Sequence, residues 1–243
     1  MTNNIKNAEL FSLFWENSKI NKRTILKFAK KLDEDARTAR SVSQIFYPTE
    51  DLLLSKPKDK IAQLMSERKS TRAFTNFAFS EKQLGSLFHA FRLKETTSRL
   101  LPSAGGKYPI EVYAFLFNVQ GGLNKQITYY NPDSHSLSIV AKCPDWDEVK
   151  ESFGLKLKGQ PAVFFIFIAI PERTIDKYGE RGGRFILTEA GHYAQNLALR
   201  LALEKLGGVI SGALYDDEIK KLLNLQNTNA LVTLGFACGN FKQ

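Results

Sequence analysis

"PAVFFIFIAI", residues 161–170, runs straight into "RTIDKYGERGGRFILTEAGHYAQN", residues 173–196, with only Pro171 and Glu172 between them. The first segment is uncharged, rich in β-branched and aromatic residues, and bounded by prolines, so it reads as a core strand. The second opens with a Lys-Tyr pair and two arginines around Gly-Gly, then settles into a helical pattern predicted over 185–206. The chain thus sets a basic, glycine-bearing stretch, expected to be a loop, at the edge of its most apolar strand. The plain reading of that placement is a solvated basic loop, and the sharper one is a site.

Outward from this pair, the pattern mixes helices and strands. "AELFSLFW" and "TILKFAKKL" place apolar residues at helical spacing, so the chain to about Ser43 reads as one or two amphipathic helices. The proline-bearing "YPTEDLLLSKPKD" then reads as a linker. This divides the chain into a helical N-terminal extension, 1–57, and a body, 58–243. "KIAQLMSERKS" and "SEKQLGSLFHAFRL" read as helices, the second with Ser80 as N-cap and Glu81 in its first turn. "IEVYAFLFNV" is a strand, "QITYYNPDSHSLSIV" a hairpin turning at Asn131-Pro132-Asp133-Ser134, and "WDEVKESFG" a short helix. "GGVISGAL" is a strand or loop, "YDDEIKKLLNL" a helix and "NALVTLGFA" a last strand. No βαβ unit or internal repeat recurs, which indicates an α+β class.

The totals are those of an ordinary globular chain: 243 residues, 43% hydrophobic and 24% charged. A formal charge of +9 favours anionic partners, but the lysines and arginines are spread along the chain without a nucleic-acid-binding motif. No nucleic acid partner is expected. Cys143 and Cys238 lie far apart, as do His89, His135 and His192, so neither a disulfide framework nor a metal site is expected. No signal core or membrane-length apolar run is present in the sequence, which reads as cytoplasmic with no membrane partner.

Several nucleotide and hydrolase signatures are absent. No GxGxxG follows a strand, "SAGGKYP" lacks the spacing of a P-loop, and "GVISGAL" is not a GxSxG elbow. An enzyme built on this chain depends on a bound organic cofactor. Arg68, Ser70 and Arg72 form an Arg-x-Ser-x-Arg cluster able to close on one phosphate through forked, charge-assisted bonds. The small residues of "LPSAGGKYP" let backbone amides approach a flat ring or an anion. Lys177 and Tyr178 are proton-transfer groups, and Arg181 and Arg184 surround them with positive charge. Such cations, with partial burial, would lower a lysine's pKa and free it to act as a base. Ala190, Ala194, Ala198 and Ala202, at i+4 spacing, make a ridge for close helix packing, either within the chain or across a dimer.

In this order, Arg68-x-Ser70-x-Arg72, "PSAGGKYPIEVY", "YYNPDSHSL", "KYGERGGRFILTEAGHYAQN" and "LGGVISGALYDDEIKKLL" resemble the SagB-type thiazole/oxazole dehydrogenases, a branch of the flavin-dependent nitroreductase superfamily. The resemblance spans roughly residues 61–239. It implies a nitroreductase-like α+β fold with a central, mostly antiparallel sheet flanked by helices, and a homodimer with one FMN per subunit at the interface. It implies that Arg68, Ser70 and Arg72 hold the phosphate and ribityl chain, and that Pro102, Ser103, Ala104, Gly105 and Gly106 line the flavin edge. Gln195 and Asn196 would form a polar pair facing the cofactor. Ser211 and Gly212 would pass over its ring, and Lys242 would add a cation. Lys177 and Tyr178 match the family's catalytic pair, with Arg181 and Arg184 in the substrate pocket.

One departure is Gly183, where the family carries an aromatic residue, which implies a wider pocket. The implied reaction oxidises a thiazoline or oxazoline in a peptide or peptide-like product, beside a cyclodehydratase or another biosynthetic enzyme, with oxygen reoxidising the flavin. The alternatives are a general NAD(P)H-dependent nitroreductase or flavin reductase, and a binding subunit that has lost its flavin.

Overall fold

The structure, a computed structural model, describes residues 5–36, 52–95 and 98–242. The predicted linker's first part, 47–51, lies outside them. The apolar run becomes the strand Val163–Ala169, in which every residue is buried. Its period of two divides the core. Val163, Phe165, Phe167 and Ala169 join one apolar cluster, whereas Phe164, Ile166 and Ile168 join a second on the opposite face. A strand covered by helices on both faces can have no polar alternation, and this one has none.

In chain order the helices are α1 (Glu9–Ser18), α2 (Ile25–Ala36), α3 (Lys60–Glu67), α4 (Glu81–Phe88), α5 (Trp146–Val149), α6 (Glu172–Tyr178), α7 (Arg181–Leu203) and α8 (Asp216–Leu222). The strands are β1 (Leu93–Glu95), β2 (Ser98–Arg99), β3 (Ile110–Leu116), β4 (Gln126–Asn131), β5 (Ser136–Lys142), β6 (Val163–Ala169), β7 (Gly207–Ser211) and β8 (Leu231–Gly239). β1 and β2 pair with each other, and the rest form one sheet in the order β5-β4-β3-β6-β8-β7. Every pairing in that sheet is antiparallel. This is the nitroreductase-like α+β architecture, its sheet flanked by helices.

α7 crosses one face, burying Ile186, Ala190, Ala194 and Leu197 against β6 residues of the first cluster. Trp146, Phe153 and Ile219 cover the other face. The alanine ridge is therefore intrachain: Ala190, Ala194 and Ala198 are buried within the chain itself. Ile5, Ala8, Phe11 and Trp15 belong to the same cluster as α7, so the N-terminal helix is built onto the body.

The predicted hairpin is β4–β5, with its turn one residue later than expected, at Pro132–His135. Asn131 Oδ1 accepts the Asp133 amide at 3.0 Å, and His135 takes φ 50°. Ser80 caps α4 and Glu81 lies in its first turn, as read from the sequence, and Gln83 completes a capping box with Ser80.

α7 begins at Arg181, four residues before the predicted start, and Lys177 and Tyr178 are helical too, at the end of α6. Gly182 and Gly183 are thus not a flexible linker. They are helical, buried contact points: a Cβ at Gly182 would lie 3.0 Å from the Ile175 backbone, and one at Gly183 would run into the Phe11 ring.

Candidate functional site

Most of the predicted site residues fall in two clusters, one along the C-terminal half of α7 and the other near its N-terminal end. The first is a groove of about 660 Å³ whose lining includes Arg68, Ser70, Arg72, Gln195, Lys205 and Phe241. Arg68 sits at the C-cap of α3, which ends at Glu67, and the chain then runs extended, Ser70 bridging to Gly208 of β7. This bridge and the Thr71 amide bond to Gly208 O (2.9 Å) fix the backbone between the arginines. Their side chains are exposed, and neither arginine nor Ser70 has a side-chain partner among the described residues. Two guanidinium groups beside a hydroxyl, without partners among the described residues, have the chemistry to close on one anion. Leu206, Val209, Ile210 and Phe236 give the same groove an apolar wall. A flat ring system carrying a phosphate fits this combination of chemistry and volume.

The second cluster is the corner between the 102–106 loop and the end of α6. Gly105 takes φ 60° and Gly106 φ 65°, values that only glycine adopts cheaply. A side chain at Gly105 would collide with the Tyr178 hydroxyl and with Lys177 Nζ, so this backbone lies directly against the proton-transfer pair. Lys177 Nζ is 5.1 Å from the Tyr178 ring centroid. Phe185 meets the other side of that ring edge-on at 5.0 Å. Lys177 itself is exposed, so the partial burial expected of it is not observed. Arg181 and Arg184 are exposed in the first turns of α7, close in sequence to the pair.

Other predicted residues are placed differently. Gln195 faces the groove, but Asn196, the next residue round the helix, donates to Ala90 O and Leu100 O at 3.4 Å each. The pair diverges because successive helical side chains point about 100° apart. Ser211 is buried, its hydroxyl donated to Phe153 O at 2.8 Å, which leaves only its backbone and exposed Gly212 toward solvent. Lys242 is exposed and does not line the groove, whereas its neighbour Phe241 does.

The wider pocket expected at Gly183 is not found, because Phe11 of α1 packs there. Glu180 secures that helix: its carboxylate accepts the Leu10 and Phe11 amides, both at 2.9 Å, acting as a helix cap from a distant part of the chain.

Sequence reasoning missed a buried polar cluster behind the glycine loop. Glu189 of α7 is 2% exposed. Burial pushes its carboxyl up to about 7, while the Ser103 hydroxyl, Arg99 and the Ile110 amide pull it back. Arg99 donates to Tyr193 Oη at 2.6 Å and to Ile110 O at 2.8 Å. The signal was present in the sequence: Ile186, Glu189, Tyr193 and Leu197 share one helical stripe, and a carboxylate on an apolar stripe stands out.

The structure also brings together His89 and His135, which the sequence left scattered, with ring centroids 6.0 Å apart. Arg200 donates to His89 Nδ1 at 3.0 Å, and burial is the main cause holding both imidazoles below their usual pKa. Among the described residues, no group of three or more His, Cys, Asp or Glu side chains could hold a metal. No helix among them is long and apolar enough to cross a membrane.

Comparison with known proteins agrees with the geometry. The Nitroreductase family model matches residues 65–240. A Methanocaldococcus jannaschii protein named as a nitroreductase is 30% identical over 174 residues, covering 69% of this chain and 85% of its own length. The microcin B17-processing protein McbC of Escherichia coli is 31% identical over 146 residues, or 57% of this chain and 53% of McbC. A chain of the E. coli microcin synthetase McbBCD complex, solved with truncated pro-MccB17 bound, superposes with a TM-score of 0.66 at 21% identity, covering 92% of this chain and 96% of that one. From Arg68 to Gly239 this is one family's sheet and helices, and the chain belongs to the Nitroreductase family.

Proposed function

We propose that the protein is an FMN-dependent dehydrogenase that oxidises a thiazoline or oxazoline, in a peptide or peptide-like product, to the aromatic thiazole or oxazole. The observation that carries this reading is the Lys177–Tyr178 pair set against the Gly105 backbone. A plain nitroreductase has no need of two proton-transfer groups at that corner, whereas aromatising an azoline removes a ring proton. Similarity to McbC, named for processing microcin B17, supports the same substrate class.

Arg68, Arg72 and the Ser70 hydroxyl would hold the FMN phosphate, and the apolar wall around Val209 and Ile210 would take its ring. When bound, FMN supplies a two-electron acceptor. Lys177 Nζ or Tyr178 Oη would take the ring proton, and the other group would orient the ring through a hydrogen bond. Gly105, free of a side chain, lets a flat ring come close to both. Arg181 and Arg184 give the approach a positive field that suits an acidic or carboxylate-bearing peptide.

Arg184 and Gln195 are eleven residues apart on α7, about 16 Å at 1.5 Å per residue. We read that separation as support for a homodimer in which the corner of one subunit and the groove of its partner serve one cofactor. Mixing Arg72→Ala with Lys177→Ala subunits tests it: recovery of turnover supports a shared site, and none argues that each chain works alone. A cyclodehydratase is the partner enzyme this substrate requires.

The function is tested by anaerobic mixing of FMN-loaded protein with a synthetic thiazoline peptide. Loss of flavin absorbance with formation of thiazole supports it. A second reading, NAD(P)H-dependent nitroreductase, draws on the M. jannaschii relative. Rapid bleaching by NAD(P)H and none by the azoline would favour that reading.

A further inference from the structure

We propose that Arg173 is a positioning residue of the site: its guanidinium group ties the helix that carries Lys177 and Tyr178 to the loop that carries Gly105, and both to the central sheet. The proposal rests on the site assigned above, in that it explains how that corner keeps its geometry.

Arg173 and Lys177 lie four residues apart on α6, so their side chains share one face of the helix, about 6 Å apart along its axis. That face meets the loop. Lys177 Nζ stands against the Gly105 backbone, and Arg173 Nη1 donates to the Tyr108 carbonyl at 2.9 Å. Just before α6, the Ile170 amide donates to Pro109 O at 2.8 Å. The two segments therefore run past each other in opposite directions, 170, 173 and 177 meeting 109, 108 and 105 in turn. A seven-residue helix has little stability of its own, so ties of this kind decide where its last turn sits.

Arg173 is itself anchored in the sheet. The same Nη1 is paired with Glu111 Oε1 of β3, and Glu111 Oε2 accepts the Tyr129 hydroxyl of β4 at 3.0 Å. Glu111 is 6% exposed, and Arg173 is its ion-pair partner among the described residues. A continuous path of polar contacts thus leads from β4 through Glu111 and Arg173 to the loop.

Tyr108 is where the loop needs holding. It takes φ 44°, a left-handed conformation that a bulky residue keeps only when its surroundings enforce it. Its amide donates to Ser103 Oγ at 2.8 Å, its hydroxyl accepts the Arg99 amide at 3.1 Å, and its carbonyl accepts from Arg173. Freed at the carbonyl, the Tyr108 peptide can turn toward an ordinary backbone conformation, and Gly105, three residues back, moves with it.

The plainer role for Arg173 is to neutralise Glu111. The two roles can be separated, because the contacts go to different groups. Arg173→Met alone strands the Glu111 charge in the sheet and should weaken the whole fold. The informative variant is the double one, Arg173→Met with Glu111→Gln, which leaves no unpaired charge and keeps an acceptor for Tyr129. Two readouts on the full chain follow the corner. One is the nuclear Overhauser effect between the Gly105 Hα protons and the Tyr178 ring, since a Cβ at Gly105 would lie 3.4 Å from Tyr178 Cζ. The other is hydrogen exchange at the Gly106 and Tyr108 amides, both bonded within the loop. We expect the double variant to melt near the wild type, to lose most of the Overhauser intensity and to exchange both amides several-fold faster. Glu111→Gln alone keeps the Arg173–Tyr108 bond and should match the wild type in both readouts. Neither readout involves substrate or turnover, so failure of the azoline reading leaves the test intact. Wild-type intensity and exchange in the double variant overturn the proposal. Loosening of the loop in Glu111→Gln, where the Arg173–Tyr108 bond remains, overturns it too, and that arm stands even if the double variant does not fold.

Discussion

Along α7, the arginine groove and the glycine-loop corner are built on opposite plans. In the groove, Arg68, Ser70 and Arg72 are exposed and have no side-chain partner among the described residues, and the backbone between them is pinned to Gly208. At the corner, the Tyr108 amide is held by Ser103 Oγ, and the Tyr108 and Ile110 carbonyls accept from the Arg173 and Arg99 guanidinium groups. The difference fits the role proposed for each part. An ion can be gripped by long side chains that arrange themselves around it, and its binding energy orders them. Proton transfer needs donor and acceptor placed within hydrogen-bond reach before the reaction, so the corner is held in advance.

The largest expected effect breaks the corner without touching the groove. Lys177→Ala and Tyr178→Phe should each lower azoline oxidation by about 10²–10⁴-fold, the range for a missing acid–base group, with flavin content unchanged. Turnover and cofactor absorbance measured on the same sample check the separation. The complementary break is the double variant Arg68→Ala, Arg72→Ala. Each charge-assisted phosphate bond is worth roughly 1.5–3 kcal/mol, so most FMN should be lost at micromolar protein. Because these side chains are exposed and make no hydrogen bond or ion pair with a described residue, the unloaded protein should melt where the unloaded wild type does. Full flavin occupancy in this variant would remove the phosphate assignment.

The comparison also explains how much could be read from the sequence. β6, the β4–β5 hairpin and the Ser80 cap were legible because each is set by neighbours in the chain: a run, an Asn-Pro turn, a serine three residues before a glutamine. The groove was legible for a similar reason, since Arg68, Ser70 and Arg72 lie within one short segment. The corner was less so. Gly182 and Gly183 fell in a stretch expected to be a loop, yet Gly183 makes room for Phe11, and nothing local to either residue announces that contact. Likewise nothing beside Glu180 marks it as the cap of α1, 169 residues from Phe11. Asn196 and Gln195 looked like a pair and face different ways. Contacts made through tertiary packing leave no periodic trace, whereas Glu189 did leave one, as the only carboxylate on the stripe of Ile186, Tyr193 and Leu197.

Two smaller effects sharpen the account. Ala194→Leu should overpack the chain's own core against β6, at a cost of about 1–3 kcal/mol. It should lower the melting temperature of the subunit without changing oligomeric state in light scattering. Dissociation of a dimer without loss of subunit stability would instead place the ridge at an interface. The smallest effect is expected of Glu180→Gln, which keeps one acceptor for the α1 amides but loses the charge at the helix N-terminus. A loss of about 0.3–1 kcal/mol follows, visible as a modest downward shift in a denaturation midpoint.

The central claim is that Lys177 and Tyr178 do proton chemistry at a corner held ready for it. Its most direct measurement is the rate of anaerobic, single-turnover flavin reduction by a synthetic thiazoline peptide in wild type, Lys177→Ala and Tyr178→Phe, each fully loaded with FMN. The account predicts bleaching with thiazole formation in the wild type and a drop of at least about a hundredfold in both variants. Reduction at the wild-type rate in both variants would contradict it, and would make this corner a solvated turn beside a site that works without it.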